Sequence, residues 1–260
     1  MLNPDEVGRR ARQPVRIGLV AYDGAGYAAM EDFLAPALDQ VYRAGDPGVP
    51  DKVDLVLYQQ GIACPQDAYV LRFDDPAATV AEILRDHDDL ELALARQFAP
   101  FRKPVVEGII HAVSRENAVF AVATALPNLV PSLGELPWAF GEFASDTAFL
   151  TANQVRMAFL IAAACGKKVG YSERAAEILS IVGSAFGWRA LARELAGKIP
   201  FGGGIIPKGA IAYAGTYVVG KGLEHYHHAG KAYTRAQRAE VYQAALERGK
   251  AIVAAVRGKL

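Results

Sequence analysis

The chain has 260 residues, which is enough for one large domain or for a large domain with a small one. Its 28 basic residues balance its 28 acidic residues, so its overall charge does not favour binding to nucleic acid. Two widely separated cysteines, Cys64 and Cys165, exclude a disulfide framework and a zinc signature and indicate a reducing, cytoplasmic-facing setting. Residues 1–14 are polar, lack the apolar core of a secretory signal and predict a flexible tail.

Residues 15–73 predict a small α/β unit. The apolar runs at 15–22, 52–59 and 68–73 are typical of buried strands. Residues 28–45 have the apolar spacing of a helix, which Pro36 is expected to kink or break. A unit of this size is expected to be only marginally stable on its own.

From Asp74 onwards almost every segment predicts helix. The segment 74–87 begins with an acidic N-cap followed by Pro76, which is a strong start signal. Four prolines are expected to break residues 90–131 into two or three helices: Pro100, Pro104, Pro127 and Pro131. The fold class is therefore mainly α, with a bundle of apolar helices over 74–230 and a basic amphipathic helix over 231–260.

The most apolar predicted helix runs over residues 142–166 and is expected to end at Gly166. A helix that is hydrophobic on nearly every side lies either in a large core or in a membrane. One polar cluster, Asn153, Gln154 and Arg156, interrupts it. We expect these side chains to form interhelical hydrogen bonds that set packing and register, rather than an active site.

Three segments raise the question of a membrane span, namely 117–134, 142–166 and 202–220. Two prolines cut the first, and Arg156 lies near the centre of the second, where a charge costs about 2.5–3.5 kcal/mol. Lys208 lies close to one end of the third. Small residues spaced four apart, at Gly183 and Gly187 and at Ala212, Thr216 and Gly220, indicate close helix packing. Membrane association and an unusually apolar soluble core both remain open.

The segment 21–28, AYDGAGYA, is a weak candidate for a nucleotide site because it follows a strand and precedes a helix. Gly24 and Gly26 are its candidate binding residues. Compared with a phosphate-binding loop, Ala21 replaces the first glycine, Tyr27 the lysine and Ala28 the Ser/Thr. The groups that hold phosphate and Mg²⁺ are thus lost, which disfavours NTP hydrolysis. A plain glycine turn is the alternative.

A second weak candidate is a metal site at His225, His227 and His228, beside Glu224. If the segment is helical, Glu224, His227 and His228 share a face. Its spacing matches no regular zinc motif, so a polar helix end is the simpler interpretation. We predict no cofactor and no catalytic residue.

Roughly from Asp74 to Tyr226 the chain resembles a GTPase-associated domain of unknown function, as found in YcjF-type membrane proteins. The resemblance is carried by three blocks, at 92–131, at 150–166 (beginning LTANQVRM) and at 186–222. The second block departs from the usual pattern at Ala152, where that family has lysine. The resemblance implies a helical, membrane-associated module linked to GTPase systems, without established catalytic residues. It also suggests a decayed phosphate loop at 21–28, although too few residues precede the helices for a whole GTPase domain.

The leading functional prediction is a bacterial, membrane-associated accessory or regulatory protein that is not an enzyme. The expected partners are a membrane surface or bilayer, a GTPase and a second copy of the chain. The expected location is the cytoplasmic face of the bacterial cytoplasmic membrane, with the cytoplasm as the alternative. The alternative function is a soluble nucleotide- or metal-binding enzyme.

Overall fold

A computed structural model describes residues 3–124, 146–181 and 205–257. Within these ranges the chain forms nine α-helices and one four-stranded sheet. The prediction of a mainly helical fold with a small α/β portion is confirmed. The chain divides into two compact units. The α/β unit comprises residues 1–107 and 162–169, and the helical unit comprises residues 108–161 and 170–260.

The sheet of the α/β unit is entirely parallel, with the strand order β2-β1-β3-β4. Its strands are β1 (Ile17–Val20), β2 (Val41–Arg43), β3 (Leu55–Gln59) and β4 (Tyr69–Leu71). Ile17 is in register with Val41 on one side and with Leu55 on the other. Because β2 and β3 lie on opposite sides of β1, the strand order reverses between β1 and β3. Ligands of open parallel sheets bind at such a switch point, outside the carboxyl ends of the strands.

Four helices and the start of a fifth complete the α/β unit. They are α1 (Pro4–Arg12), α2 (Gly24–Leu34), α3 (Pro76–Asp86), α4 (Glu91–Gln97) and α5 (Ala99–Ala123), of which the residues up to 107 belong here. Ile83, Leu94 and Phe101 are buried in the same core cluster as the strand residues Ile17 and Leu57. The unit therefore continues past the expected boundary at residue 73, because these helices bury the apolar side chains of the sheet.

Residues 4–12, expected to be a flexible tail, instead form helix α1. Asn3 caps the helix by accepting a hydrogen bond from the Asp5 N–H. Val7 and Ala11, four residues apart, are buried at 2% and 1% exposure. The polar composition of this segment concealed a narrow apolar face, and burial of that face holds the helix in place.

The helix expected over residues 28–45 ends earlier. Helix α2 stops at Leu34, because Ala35 precedes Pro36 and the α conformation is disfavoured before proline. The residues of β2 then pair with β1 rather than continuing a helix. Long-range strand pairing overrides the local helical spacing of apolar residues at this point.

The predicted start of α3 is confirmed, since Asp75 caps it by accepting from the Ala78 N–H and Pro76 follows. The expected break at Pro104 is wrong, because α5 continues through it. Pro104 is the sixth residue of α5, so the helix loses there the hydrogen bond that an N–H would donate to the Pro100 carbonyl. Val105 and Val106, which follow it, are buried, and their packing favours the helical backbone despite this loss. Pro127 and Pro131 lie outside the described residues.

The helical unit contains the rest of α5 and four further helices. These are α6 (Asp146–Ala164, up to residue 161), residues 175–181 (called α7), α8 (Ile205–Ala229) and α9 (Arg235–Arg257). All residues of α6 from Phe149 to Ala164 are buried or half-buried. The chain leaves α6 at Gly166, whose φ of 74° and hydrogen bond to the Ala163 carbonyl confirm the expected helix stop.

No helix in the described ranges combines the length and the apolar character that a bilayer span requires.

Glycines permit close approach between helices of this unit. A Cβ at Gly220 of α8 would lie 2.8 Å from Ile110 Cγ1 and 3.0 Å from Met157 Sδ. A Cβ at Gly249 of α9 would lie 3.0 Å from the Ala210 carbonyl oxygen and 3.1 Å from Ala210 Cα. Gly183 and Gly187 lie outside the described residues. The pair α8–α9 therefore depends on a glycine that faces backbone atoms, which cannot move aside as a side chain can.

We expect Gly249→Ala to lower the free energy of unfolding by up to about 2 kcal/mol. Overpacking against the α8 backbone costs about 1–3 kcal/mol, and the gain in helix propensity is about 1 kcal/mol. Gly222→Ala is the matched control, since a Cβ there meets Tyr233 Cδ2 at an ordinary 4.0 Å. Urea unfolding of both variants measures the difference. Equal stabilisation by both substitutions would contradict the close packing of Gly249.

Candidate functional site

The glycine loop at 21–28 lies at the switch point of the sheet, between the carboxyl end of β1 and the start of α2. Asp23 is the N-cap of α2, and its Oδ1 accepts a hydrogen bond of 2.8 Å from the Gly26 N–H. The N-terminus of a helix attracts anions through its free N–H groups and its dipole. Here the carboxylate of the protein itself occupies that position.

Gly26 is explained by packing against β3. The Gln59 Oε1 accepts a hydrogen bond of 3.0 Å from the Tyr22 N–H and lies against the first turn of α2. A Cβ at Gly26 would overlap this oxygen and would lie 3.1 Å from Ala21 Cβ. Gly26 therefore has a structural reason that involves no ligand, and nucleotide binding at Gly24 and Gly26 stays a prediction. In the sequence, Asp23 three residues before Gly26 was a signal for the helix cap. No local pattern indicated that Gln59 would contact the same loop.

The three histidines of α8 are not brought together. The ring of His225 stacks on Tyr233 at 4.5 Å, and His228 donates from Nδ1 to the Glu224 carbonyl at 3.0 Å. The His227 side chain is 2% exposed, with its Nε2 3.7 Å from Glu177 Oε2. Within the described ranges, His, Cys, Asp and Glu side chains form no group of three or more that could hold a metal ion. A site shared by the three imidazoles is therefore not formed.

Glu177 was not singled out from the sequence, yet it lies buried beside His227. Its Oε1 accepts a hydrogen bond of 2.7 Å from Arg174 Nη1. Burial raises the pKa of the Glu177 carboxyl above its ordinary value, and the positive charge of Arg174 opposes this effect only in part. Glutamates three residues after an arginine are common on exposed helix faces, so only the tertiary structure identifies this one.

The raised pKa of Glu177 predicts a pH-dependent effect of Glu177→Gln. The folded protein holds this proton more tightly than the unfolded chain, so stability from this group is present at low pH and is lost as pH rises through the folded pKa. The unfolding free energy of the variant, compared with wild type, should therefore increase as pH rises from about 4 to 7. Glu240→Gln, at an exposed position of α9, is the control. A difference that stays constant with pH would contradict the prediction.

The polar cluster of α6 joins three helices through a buried hydrogen-bond network. Asn153 Nδ2 donates to Asn117 Oδ1 of α5 at 2.8 Å, and Asn117 Nδ2 donates to Thr216 Oγ1 of α8 at 2.8 Å. Gln154 Nε2 also donates to Thr216 Oγ1, at 3.3 Å. All four side chains are buried. Such networks stabilise one helix register, because any slip leaves buried polar groups without partners.

Arg156, the third member of the cluster, forms an ion pair with Glu116 of α5. The two side chains are 22% and 36% exposed, so this pair lies at the edge of the network rather than in its centre. Ser114 Oγ and Gln154 Oε1 are buried without a hydrogen-bond partner among the described residues. The sequence pointed to the α6 residues. Ser114 and Asn117 of α5 lie in one polar run with Arg115 and Glu116, so no sequence signal indicated that these two side chains are buried.

We expect Asn117→Leu to destabilise the protein by about 2–3 kcal/mol, because it removes the partner of Asn153 and a donor to Thr216 inside the core. Arg115→Leu, at an exposed position of the same helix, should change stability by less than about 0.5 kcal/mol. Thermal unfolding followed by circular dichroism measures both. Equal effects of the two variants would show that the buried amides do not contribute as described.

The described geometry defines a mainly helical protein with a small parallel sheet. The polar groups of its candidate sites mostly form hydrogen bonds and ion pairs with other groups of the same chain. No protein-family model matches the chain, and searches of curated proteins and of solved structures also returned no match. The resemblance to the GTPase-associated domain therefore stays a prediction.

Proposed function

We propose that the protein is a non-enzymatic accessory protein that binds an anionic membrane surface and acts there as a partner of a GTPase-linked system. The observation that carries the membrane part is the junction between α8 and α9. Tyr226 is 44% exposed at the end of α8, and three exposed bases follow it: Lys231, Arg235 and Arg238. Residues 225–239 contain no acid.

These residue types suit the interface between lipid and water. A tyrosine places its ring among the acyl chains and its hydroxyl among the headgroups. Each Lys or Arg close to an anionic leaflet contributes about 1 kcal/mol to binding. The junction would bind from the surface and needs no spanning helix. The GTPase as a partner rests on the family resemblance alone.

The glycine loop, in which Asp23 caps the N-terminus of α2, supports a role without phosphoryl transfer. Asp23 places a negative charge at the helix N-terminus, where a phosphate would otherwise bind. The alternative, a soluble nucleotide-binding enzyme, is favoured by one observation, the position of this loop at the switch point of a parallel sheet. Calorimetry with GTP and ATP separates the two, since micromolar binding that requires Mg²⁺ would support the enzyme.

Vesicle flotation tests the membrane proposal. Wild-type protein should float with vesicles that contain phosphatidylserine and remain unbound with phosphatidylcholine alone. Replacing Lys231, Arg235 and Arg238 by Gln should lower the partition coefficient by roughly 100-fold, because three contributions of about 1 kcal/mol are lost. High salt should weaken wild-type binding in the same direction.

The control carries three Gln substitutions at exposed lysines of the α/β unit, Lys52, Lys103 and Lys168. It loses the same net charge but leaves the junction intact, so it should float like wild type. Equal losses in both triple variants would mean that total charge rather than the junction determines binding. No flotation of the wild type with either vesicle would refute the membrane proposal.

A further inference from the structure

His111 of α5 lies between α8 and α9 in the helical unit. Its Nδ1 is 2.8 Å from Tyr213 Oη, and its Nε2 is 3.2 Å from Arg248 Nη1 of α9. The imidazole ring also lies 5.2 Å from the ring of Tyr217, over which the Arg248 guanidinium lies at 5.8 Å. One imidazole thus links all three helices.

The protonation state of His111 follows from its partners. A guanidinium has only donors, so Nε2 must accept the hydrogen bond from Arg248 and cannot carry a proton. The proton of the neutral ring is therefore on Nδ1, which donates to Tyr213 Oη. This arrangement exists only while the imidazole is uncharged.

We propose that the group formed by His111, Tyr213 and Arg248 is an acid-sensitive clasp that holds the second half of α9 against α5 and α8. Protonation of Nε2 removes the acceptor of the Arg248 hydrogen bond. It also places a second positive charge beside the guanidinium, and the two charges repel each other, although the exposed position of Arg248 weakens this repulsion. The clasp therefore holds while His111 is neutral and opens when His111 takes up a proton.

The neighbouring groups determine how far the positive charge of a protonated His111 is offset. Tyr213 is fully buried, and burial raises the pKa of its hydroxyl although Arg248 opposes this, so the hydroxyl stays neutral and cannot offset a positive imidazole. On α9, Glu247 is paired with Lys250 at 2.8 Å. On α5, Glu107 and Arg115 lie four residues before and after His111 and carry opposite charges.

Opening of the clasp would act on a tightly packed stretch. Gly249 lies directly against the Ala210 backbone, and Ala245 and Val253 are buried on either side of it. These contacts require α9 to stay close to α8, so loss of the Arg248 contact should first loosen residues 245–253. The remainder of the core, including the buried network around Asn117, should keep its protection.

Hydrogen exchange of the full chain tests the clasp. Protection factors, corrected for the intrinsic effect of pH, should fall for amides 245–253 as pH decreases from 7.5 to 5.5, by up to about tenfold per pH unit. In His111→Gln, whose carboxamide stays neutral while accepting from Arg248 and donating to Tyr213, this dependence should disappear. His228→Gln is the control, because the hydrogen bond that His228 makes among the described residues is to the backbone of its own helix.

Arg248→Gln gives a second test if His111→Gln does not fold. It removes the positive charge that opposes protonation, so protection of residues 245–253 should again become independent of pH over this range. Protection that does not change with pH in the wild type, as expected if Glu107 offsets the charge, would overturn the proposal. So would a dependence that persists in both variants, or a proton on Nε2 at pH 7.5 in nitrogen NMR.

Discussion

The packing of the helical unit depends on the buried hydrogen bonds of Asn117. This side chain accepts from Asn153 of α6 and donates to Thr216 of α8, so it is the point at which three helices are held in one register. Apolar packing alone would allow helices this rich in alanine and valine to slide by a turn at little cost. Buried amides remove that freedom, because every displaced arrangement leaves polar groups without partners. Gly220 contributes by admitting Ile110 and Met157 at short distance in the same region.

The α/β unit is built on a different constraint. Its parallel strands need helices on their faces, and α2, which connects β1 to β2, begins at the switch point. In ligand-binding proteins of this topology, that location presents free N–H groups to a phosphate. Here Asp23 and Gln59 have taken those positions. The loop retains the form of a binding site, while its own side chains satisfy the groups that a ligand would otherwise satisfy.

Local signals predicted those features of the structure that depend on neighbouring residues. The capped start of α3 and the glycine stop after α6 follow from Asp75, Pro76 and Gly166. Features that depend on distant residues were missed: β2 exists because it pairs with β1, and α1 because Val7 and Ala11 are buried. The candidate site divides in the same way. The polar residues of α6 were visible as exceptions in an apolar helix, but Asn117, Thr216 and Glu177 acquire their roles only through partners far away in the chain.

The sheet has a further property that follows from the lengths of its outer strands. Both edge strands, β2 and β4, contain only three residues, so each offers few unpaired backbone groups to another molecule. Long exposed edges recruit strands from neighbouring molecules and lead to aggregation. A chain of which 52% is hydrophobic is at particular risk of this during synthesis, before its helices have packed. Short edge strands limit that risk, because a newly made copy offers too little edge to extend a neighbour's sheet.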